Sequence, residues 1–219
     1  MMPDSGKGGR AVPQAPAFEP VDRAFFTLGT LELARALLGL VLVHETPEGV
    51  TAGRIVEVEA YRGPEDRGAH SYGGRRTRRT EAMFGPPGIA YIYRIYGLYD
   101  CFDVVSAPEG KPEAILVRAL EPVMGLDLMA RRSGLGVVPG RPCRLTAGPG
   151  RLARALGITL AQYGMPLWQP PLYLTRAGAR AVPAGEVARG PRVNIPYAGE
   201  AQAYPWRFWI RGHPCVSRG

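Results

Sequence analysis

The stretch of residues 50–61 alternates in the way a β-strand does and carries acidic side chains on one face only. One face holds Val56, Val58 and Ala60, and the opposite face holds Ile55, Glu57, Glu59 and Tyr61. Alternate side chains of a strand point to opposite sides of a sheet, and carboxylates are seldom buried without a partner. The pattern therefore predicts a sheet with one face against the core and an acidic, aromatic site on the other.

Strand and helix patterns elsewhere favour an α+β fold. Helices are predicted over residues 30–38, 125–132 and 150–156, with Thr30 as the cap and Gly39 as the stop of the first. Strands are predicted over residues 40–44, 50–61, 114–120, 172–175, 192–195 and 208–210, and as a pair around Gly97 within residues 89–106. Several of these strands follow one another through turns, which indicates a mostly antiparallel arrangement.

Length and composition predict one domain with a polyanionic partner. The 219 residues, 46% of them hydrophobic, are enough for one substantial core. Residues 1–18 are Gly, Pro, Ala and polar, so they are predicted to form a disordered tail, leaving residues 19–219 as the domain. The net charge of +8 suggests a nucleic acid, although a ribosomal or membrane-surface protein would show the same balance.

Basic charge is concentrated in the loop predicted over residues 62–87. Six arginines face only two acids between Arg62 and Thr80, which amounts to half of the net charge. Lys7 and Lys111 are the only lysines. Arginine binds phosphate in a bidentate manner and stacks on rings, which lysine does not. A GC-rich coding bias would equally explain the preference for arginine, but it does not explain the clustering, so we expect a functional loop.

The three cysteines give no sign of a structural site. Cys101, Cys143 and Cys215 are far apart, odd in number and without metal-ligand spacing. We expect no disulfide framework, zinc site or iron–sulfur cluster. No signal peptide is recognisable, and no apolar run approaches the roughly 18 residues of a membrane helix. These features predict a soluble protein of the cytoplasm, a reducing compartment.

Glu59 is the strongest candidate for chemistry. A lone glutamate on a strand is usually solvated, but Glu57 lies two residues away on the same face, and such a like charge raises a carboxyl pKa where water is restricted. A glutamate of this kind at a strand end can act as a general base that activates water.

Several aromatic residues follow in the sequence. Tyr91 and Tyr99 fit ordinary packing within strands. Tyr96 differs because the turn at Gly97 would expose its ring, which suits a wedge pushed into a stack of bases. His70 alone would more often be structural, but beside these residues it becomes a candidate.

Some reaction classes lack their motifs. The chain has no GxGxxG, Walker A or HExxH pattern. A glycosylase that also cuts the strand commonly forms a Schiff base through an amine, and neither lysine looks placed for that role.

The candidate residues and the segments around them resemble the alkyladenine (3-methyladenine) DNA glycosylase family. The resemblance spans about residue 24 to Ser217. Its motifs are residues 56–66, Ala69-His70-Ser71, Met83-Phe84, Pro87-Gly88, residues 91–97, residues 118–122, Ala147-Gly148-Pro149 and Pro205-Trp206-Arg207-Phe208. With the strand pattern, it leads us to expect a single α+β domain with a mixed, mostly antiparallel curved sheet, flanking helices and a protruding β-hairpin.

The resemblance implies a role for each matching residue. Glu59 would be the general base, with Glu57 supporting it from behind, and Arg118 would hold the attacking water, together with the backbone carbonyl of Ile195. The base-binding residues would be Tyr61, His70 and Tyr93, which sandwich a flipped purine, and Asp103 in the pocket. The DNA-contacting residues would be Tyr96, Arg75, Thr77, Met83 and Arg151. Neither a metal nor another cofactor is expected.

Asp103 departs from the family pattern, which commonly has asparagine there. The resemblance links this position to rejection of guanine through its exocyclic amine. An ionised aspartate would instead accept a hydrogen bond from that amine. We therefore expect a preference for cationic lesions such as 3-methyladenine and 7-methylguanine, unless Asp103 is protonated or turned away.

The activity expected from the resemblance is monofunctional. The enzyme would act as a monomer on double-stranded DNA at the nucleoid, hydrolysing the N-glycosidic bonds of damaged purines. Two other functions remain open, namely a catalytically silent sensor of damaged or bent DNA and an RNA-binding protein that prefers single strands.

Overall fold

The computed structural model describes residues 18–136 and 140–217, which form an α+β fold around one curled antiparallel sheet. The predicted tail lies outside these residues apart from Phe18, which packs beside Val41 and Val43. Eight strands make up the sheet: β1 (Val41–Thr46), β2 (Gly49–Tyr61), β3 (Ala90–Ile95), β4 (Tyr99–Val105), β5 (Ala114–Met124), β6 (Leu172–Thr175), β7 (Val187–Gly190) and β8 (Arg207–Ile210). The helices are α1 (Thr30–Leu37), α2 (Leu126–Ser133) and α3 (Pro149–Leu156).

Strand β2 is the centre of the sheet because it has partners along its whole length. The main path of the sheet runs β3-β4-β5-β2-β1-β6, and all pairings among the described strands are antiparallel. On the edge away from β5, the first half of β2 pairs with β1 and residues 57–59 pair with β8. Glu57 and Glu59 therefore lie in the interior of the sheet.

The core fills one face of this sheet. Leu33, Ala34 and Leu37 of α1 and Leu152 of α3 are buried there against apolar side chains of the strands. These residues recur at the spacing of an amphipathic helix, which explains why both helices lie on the core face.

Irregularities in β2 alter the face predicted for Ile55. The pairing of β2 with β5 shifts register between Ile55 and Glu57 and again between Glu57 and Val58. Such β-bulges reverse the alternation locally. Ile55 consequently joins the core beside Val56 and Val58, and its predicted place on the acidic face is wrong.

Three other sequence predictions are corrected. Thr30 does not cap α1, which has Gly29 at that position, because the Thr30 hydroxyl bonds to Glu113 and lies 3.1 Å from that of Ser106. Residues 192–195 form no strand, since Asn194 has a positive φ of 59°. A disulfide was not expected, yet the fold brings Cys143 and Cys215 together in one.

The β3–β4 hairpin extends from the sheet, as predicted. Its tip contains Tyr96 and Gly97, with φ values of 51° and 68°. Consecutive positive φ angles are typical of tight hairpin turns, and only the second residue here is a glycine. Within residues 18–136 and 140–217, no helix has the length and apolar character needed to cross a membrane.

Candidate active site

One row of side chains across four strands runs along a cavity, and its members from β3, β4 and β5 line the cavity directly. Tyr91 of β3 pairs with Asp103 of β4, Asp103 pairs with Leu116 of β5, and Leu116 pairs with Glu59 of β2. Directly paired residues point to the same side of a sheet, and this side faces away from the core. The cavity above the row has a volume of about 440 Å³, within the range of small-molecule sites.

Glu59 is fully buried and held from three directions. Its Oε1 accepts a hydrogen bond from the Val193 N–H at 2.7 Å, and its Oε2 accepts one from the Tyr61 hydroxyl at 2.9 Å. Nη1 of Arg118 lies 3.4 Å from the same Oε1. These three partners all line the cavity, so the contacts fix the carboxylate directly behind the cavity lining.

The environment of Glu59 favours proton uptake. Burial raises the pKa of Glu59 above its ordinary value, and the neighbouring Glu57 adds to this, whereas Arg118, the Val193 N–H and the Tyr61 hydroxyl act in the opposite direction. A buried carboxylate with a raised pKa is a stronger base than a solvated one once it is ionised. The geometry therefore suits abstraction of a proton from water.

Glu57 supports the site from behind. It is fully buried, and its Oε1 accepts hydrogen bonds from Nε of Arg118 at 3.0 Å and from Nε of Arg207 at 2.7 Å. The Ser217 N–H donates to its Oε2 at 2.6 Å. Neither glutamate is itself among the residues that line the cavity, but the three partners of Glu59 all line it, whereas Arg118 is the one of these three contacts of Glu57 that does. Glu57 anchors the guanidinium that approaches Glu59.

The aromatic residues form walls of the cavity. The rings of His70 and Tyr93 meet edge to face, with centroids 4.6 Å apart, and Tyr91 stacks on Tyr93 at 5.0 Å. These spacings leave no room for a base between His70 and Tyr93, so the two rings belong to one wall. Tyr61 lines the same cavity, with the Arg192 guanidinium over its ring at 4.6 Å.

His70 is neutral at physiological pH. Burial and then the positive charge of Arg79 lower the pKa of His70 to about 4. Its Nδ1 lies 2.9 Å from the Tyr91 hydroxyl. Tyr91, interpreted from the sequence as a packing residue, is indeed buried, but it also lines the cavity and orients His70.

Asp103 presents an unusual group to the cavity. The side chain is buried, and its Oδ1 has no hydrogen-bond partner among the described residues. Burial, followed by the charge of Glu59, raises the pKa of Asp103 well above its ordinary value. Asp103 thus lines the cavity and has one buried carboxyl oxygen without a partner among the described residues.

The loop after β7 closes the site near Glu59. Ile195 is buried and lines the cavity, and its carbonyl accepts a hydrogen bond from the Ala198 N–H at 3.0 Å. A carbonyl has two lone pairs, so this oxygen retains capacity for a water. Arg192 anchors the loop through a buried ion pair with Asp66, Nη2 to Oδ1 at 2.7 Å.

The five residues expected to contact DNA lie in different surroundings. Tyr96 is 88% exposed at the hairpin tip, beside the cavity, and Arg75 and Arg151 are exposed. Thr77 is half-buried and stabilises its own turn, because its N–H donates to the Thr80 hydroxyl at 2.9 Å. Met83 is buried and lines the cavity.

Sequence reasoning missed several residues of the site. Val193 contributes a backbone N–H, for which side-chain patterns carry no signal. Arg79 lies over the Tyr93 ring at 5.3 Å. It belongs to the cluster of arginines predicted from the sequence, but the pattern gives Arg79 no role of its own. The Arg192–Asp66 pair joins residues 126 positions apart, which no local pattern reveals.

Comparisons with known proteins agree on one family. The profile of the family described as "Methylpurine-DNA glycosylase (MPG)" matches residues 24–214. A protein of Bacillus cereus strain G9842, named "Putative 3-methyladenine DNA glycosylase", is 50% identical over 204 residues, covering 89% of this chain and 97% of its own. A protein of the same name from Bacillus anthracis strain CDC 684 is 49% identical over 199 residues with the same coverage. Because the family profile matches most of the chain, this chain belongs to the methylpurine-DNA glycosylase family.

Proposed function

We propose that this protein hydrolyses the N-glycosidic bond of alkylated purines in duplex DNA and leaves an abasic site. The observation that carries the proposal is the buried Glu59, oriented by Val193 and Tyr61, two residues that line an aromatic-walled cavity. Membership of a DNA glycosylase family supports the reaction class. A sensor without activity would have no need of such a carboxylate.

The shape of the site supports extrusion of the base from the duplex. A purine stacked in DNA cannot reach the floor of a cavity, so it must be extruded at a cost of a few kcal/mol, which is smallest for damaged or mispaired bases. Tyr61 on one side and the His70–Tyr93 wall on the other would stack on the extruded ring. Tyr96, at the exposed hairpin tip, would fill the gap left behind.

Hydrolysis then proceeds through water. Arg118 and the Ile195 carbonyl would position a water, Glu59 would take its proton, and the oxygen would attack C1′ of the sugar. The N-glycosidic bond breaks, its electron pair leaves with the base, and positive charge builds up on the sugar. The Glu59 carboxylate stabilises this oxocarbenium-like charge as well.

The position of Lys111, the lysine within the described residues, favours simple hydrolysis over strand cleavage. Lyase chemistry commonly begins with an amine that attacks C1′. Nζ of Lys111 forms an ion pair with Oε1 of Glu113 at 2.8 Å, and Lys111 does not line the cavity. We therefore propose a monofunctional enzyme.

Asp103 would direct the enzyme toward cationic bases. A purine that carries a positive charge, such as 3-methyladenine or 7-methylguanine, favours the ionised form of a carboxyl group beside it. Oδ1 of Asp103 is free to accept a hydrogen bond from an exocyclic amine. Hypoxanthine and ethenoadenine, which are neutral, would gain less from this position and would be weaker substrates.

The charge of the protein supports duplex DNA as the partner. The net charge of +8 and the exposed arginines of residues 75–79 would neutralise phosphates around the damaged base. We propose that a single copy of the chain suffices, because every residue assigned a catalytic role comes from one chain, and that it works at the nucleoid.

The proposal is tested with end-labelled duplexes that contain 7-methylguanine, 3-methyladenine or hypoxanthine. Free base should appear in the supernatant, and the strand should break at the lesion only after hot alkali. Strand cleavage without alkali would contradict the monofunctional mechanism. A preference for hypoxanthine over the methylated bases under single-turnover conditions would contradict the role given to Asp103.

A further inference from the structure

The Cys143–Cys215 disulfide joins two segments that both contact Arg118. The first segment reaches the main chain, because the Gly148 N–H donates to the Arg118 carbonyl at 3.0 Å. The second reaches the side chain, because Nη2 of Arg118 donates to the Ser217 hydroxyl at 3.3 Å. The cross-link thus joins the segment that contacts the main chain of Arg118 to the segment that contacts its guanidinium.

Ser217 completes the binding of Glu57. Its N–H donates to Oε2 of Glu57 at 2.6 Å and its hydroxyl to Oε1 at 3.0 Å. Its carbonyl accepts a hydrogen bond from Nη2 of Arg207 at 3.2 Å, so the same residue contacts both arginines that pair with Glu57. Burial of a carboxylate is costly unless its oxygens accept hydrogen bonds. Removal of Ser217 would leave Glu57 short of two donors.

The cross-link ties this segment to the connection over residues 143–148, which lies beside the strand that carries Arg118. Cys215 is buried in the core and lies two residues before Ser217. Cys143 starts a short connection in which the Ala147 N–H bonds to the Cys143 carbonyl at 2.8 Å, and Ala147 pairs with Ala119 of β5. Movement of Cys215 relative to Cys143 would therefore displace the residues that contact Arg118.

We propose that the Cys143–Cys215 disulfide holds Ser217 against Glu57 and so makes Ser217 a positioning residue for Arg118 beside Glu59. The inference rests on the proposed glycosylase function for its catalytic consequence. Reduction by a dithiol supplies two electrons and two protons, opens the S–S bond to two thiols and leaves the reductant as a disulfide. Ser217 then loses the cross-link that limits its movement, and Arg118 loses part of its support.

The expected consequence is a slower chemical step with an altered pH dependence. Arg118 opposes the rise in the pKa of Glu59, so a loosened Arg118 lets that pKa rise further. The single-turnover rate should fall about tenfold, the effect of one hydrogen bond to a charged group. The acid limb of the pH profile, where the rate falls as pH decreases, should move to higher pH. A purely structural role of the disulfide would not cause this shift.

The experiment compares the oxidised and dithiothreitol-reduced protein, with a thiol titration to confirm that two additional thiols appear. Cys143→Ser and Cys215→Ser should resemble the reduced protein with or without reductant, which controls for effects of the reductant itself. Thermal unfolding of each sample sets an assay temperature at which all are folded. Ser217→Ala should move the limb in the same direction with the disulfide intact, and Ser217→Thr should restore it.

Two measurements, base release and amide exchange, separate this inference from the proposed function. Lack of base release by the oxidised protein would contradict the proposed function alone. Exchange protection of the Ser217 amide, measured by NMR, should drop on reduction whether or not base is released. The inference is overturned if the reduced protein keeps this protection, or if an active protein keeps the same rate and acid limb after reduction.

Discussion

The backbone N–H of Val193 donates a 2.7 Å hydrogen bond to Oε1 of Glu59, a residue 134 positions earlier in the chain. The loop that carries Val193 is anchored by the adjacent Arg192, which pairs with Asp66 and covers the ring of Tyr61. The same loop therefore orients both the proposed general base, Glu59, and the aromatic wall formed by Tyr61. Such fixed groups lower the reorganisation that the reaction requires.

The pH dependence of base release should report Glu59. Because its pKa is raised above 4.5, the ionised base is lost as pH falls through that higher value, and the single-turnover rate should fall with it. Arg118→Gln should move this limb to still higher pH, since Arg118 lowers the pKa of Glu59. Spontaneous depurination without enzyme is subtracted at each pH. An acid limb at 4.5 or below in the wild type would count against the assignment.

Tyr61→Phe removes a single hydrogen bond to the carboxylate of Glu59. The ring that lines the cavity is kept, but the hydroxyl that donates to Glu59 at 2.9 Å is lost. The rate of base release should fall about tenfold and the acid limb should move up. Tyr72→Phe is the matched control, because Tyr72 is exposed and does not line the cavity. Equal rates for the two variants would show that the hydroxyl contributes nothing.

Local patterns were sufficient for much of the fold but not for the groups that complete the site. Strand alternation predicted that Glu59 and Tyr61 share a face, because the pleat imposes that spacing without help from the rest of the chain. It failed at Ile55, where register shifts in β2 depend on its partner strand.

Other groups depend on long-range contacts. The Val193 N–H and the Arg192–Asp66 pair arise from segments that meet only after folding, as do Ser217 and Glu57, which are 160 positions apart. The disulfide belongs to the same class, since its cysteines are 72 positions apart. Their spacing in the sequence says nothing of their distance in space.

Asp103→Asn should change both selectivity and stability. The variant should lose the preference for cationic lesions, with the rate ratio of 7-methylguanine to hypoxanthine falling about tenfold. The pKa of Asp103 in the folded state lies well above 3.8, so proton binding favours folding. Its stabilising contribution is present below pH 3.8 and is lost as pH rises through the folded-state value.

Asparagine does not titrate, so the variant should gain stability relative to the wild type as pH rises, by about 1 kcal/mol at pH 8. Urea unfolding at pH 5 and pH 8 measures the difference. A variant that is less stable than the wild type at pH 8 would show that the carboxylate is stabilised where it lies, contrary to its raised pKa.

Tyr96→Ala should impair extrusion of the base while leaving the fold unchanged. Tyr96 is 88% exposed at the hairpin tip, and surface substitutions of this kind change stability by about 0.5 kcal/mol or less. Base release from duplex DNA should slow far more than release from a single strand, where no gap needs filling. Leu98→Ala is the control, because Leu98 is 71% exposed on the same hairpin. Equal slowing on both substrates would argue against a wedge.

The central claim is that Glu59 is the general base, and Glu59→Gln tests it most directly. Glutamine keeps the size and polarity of the side chain but cannot take a proton, so single-turnover release of 7-methylguanine should fall about 10³-fold or more. Affinity for a duplex with an uncleavable abasic analogue should stay within a few-fold, and Glu109→Gln, which alters an exposed carboxylate, should behave as the wild type. A Glu59→Gln protein that binds the duplex and releases base at near wild-type rate would contradict the account.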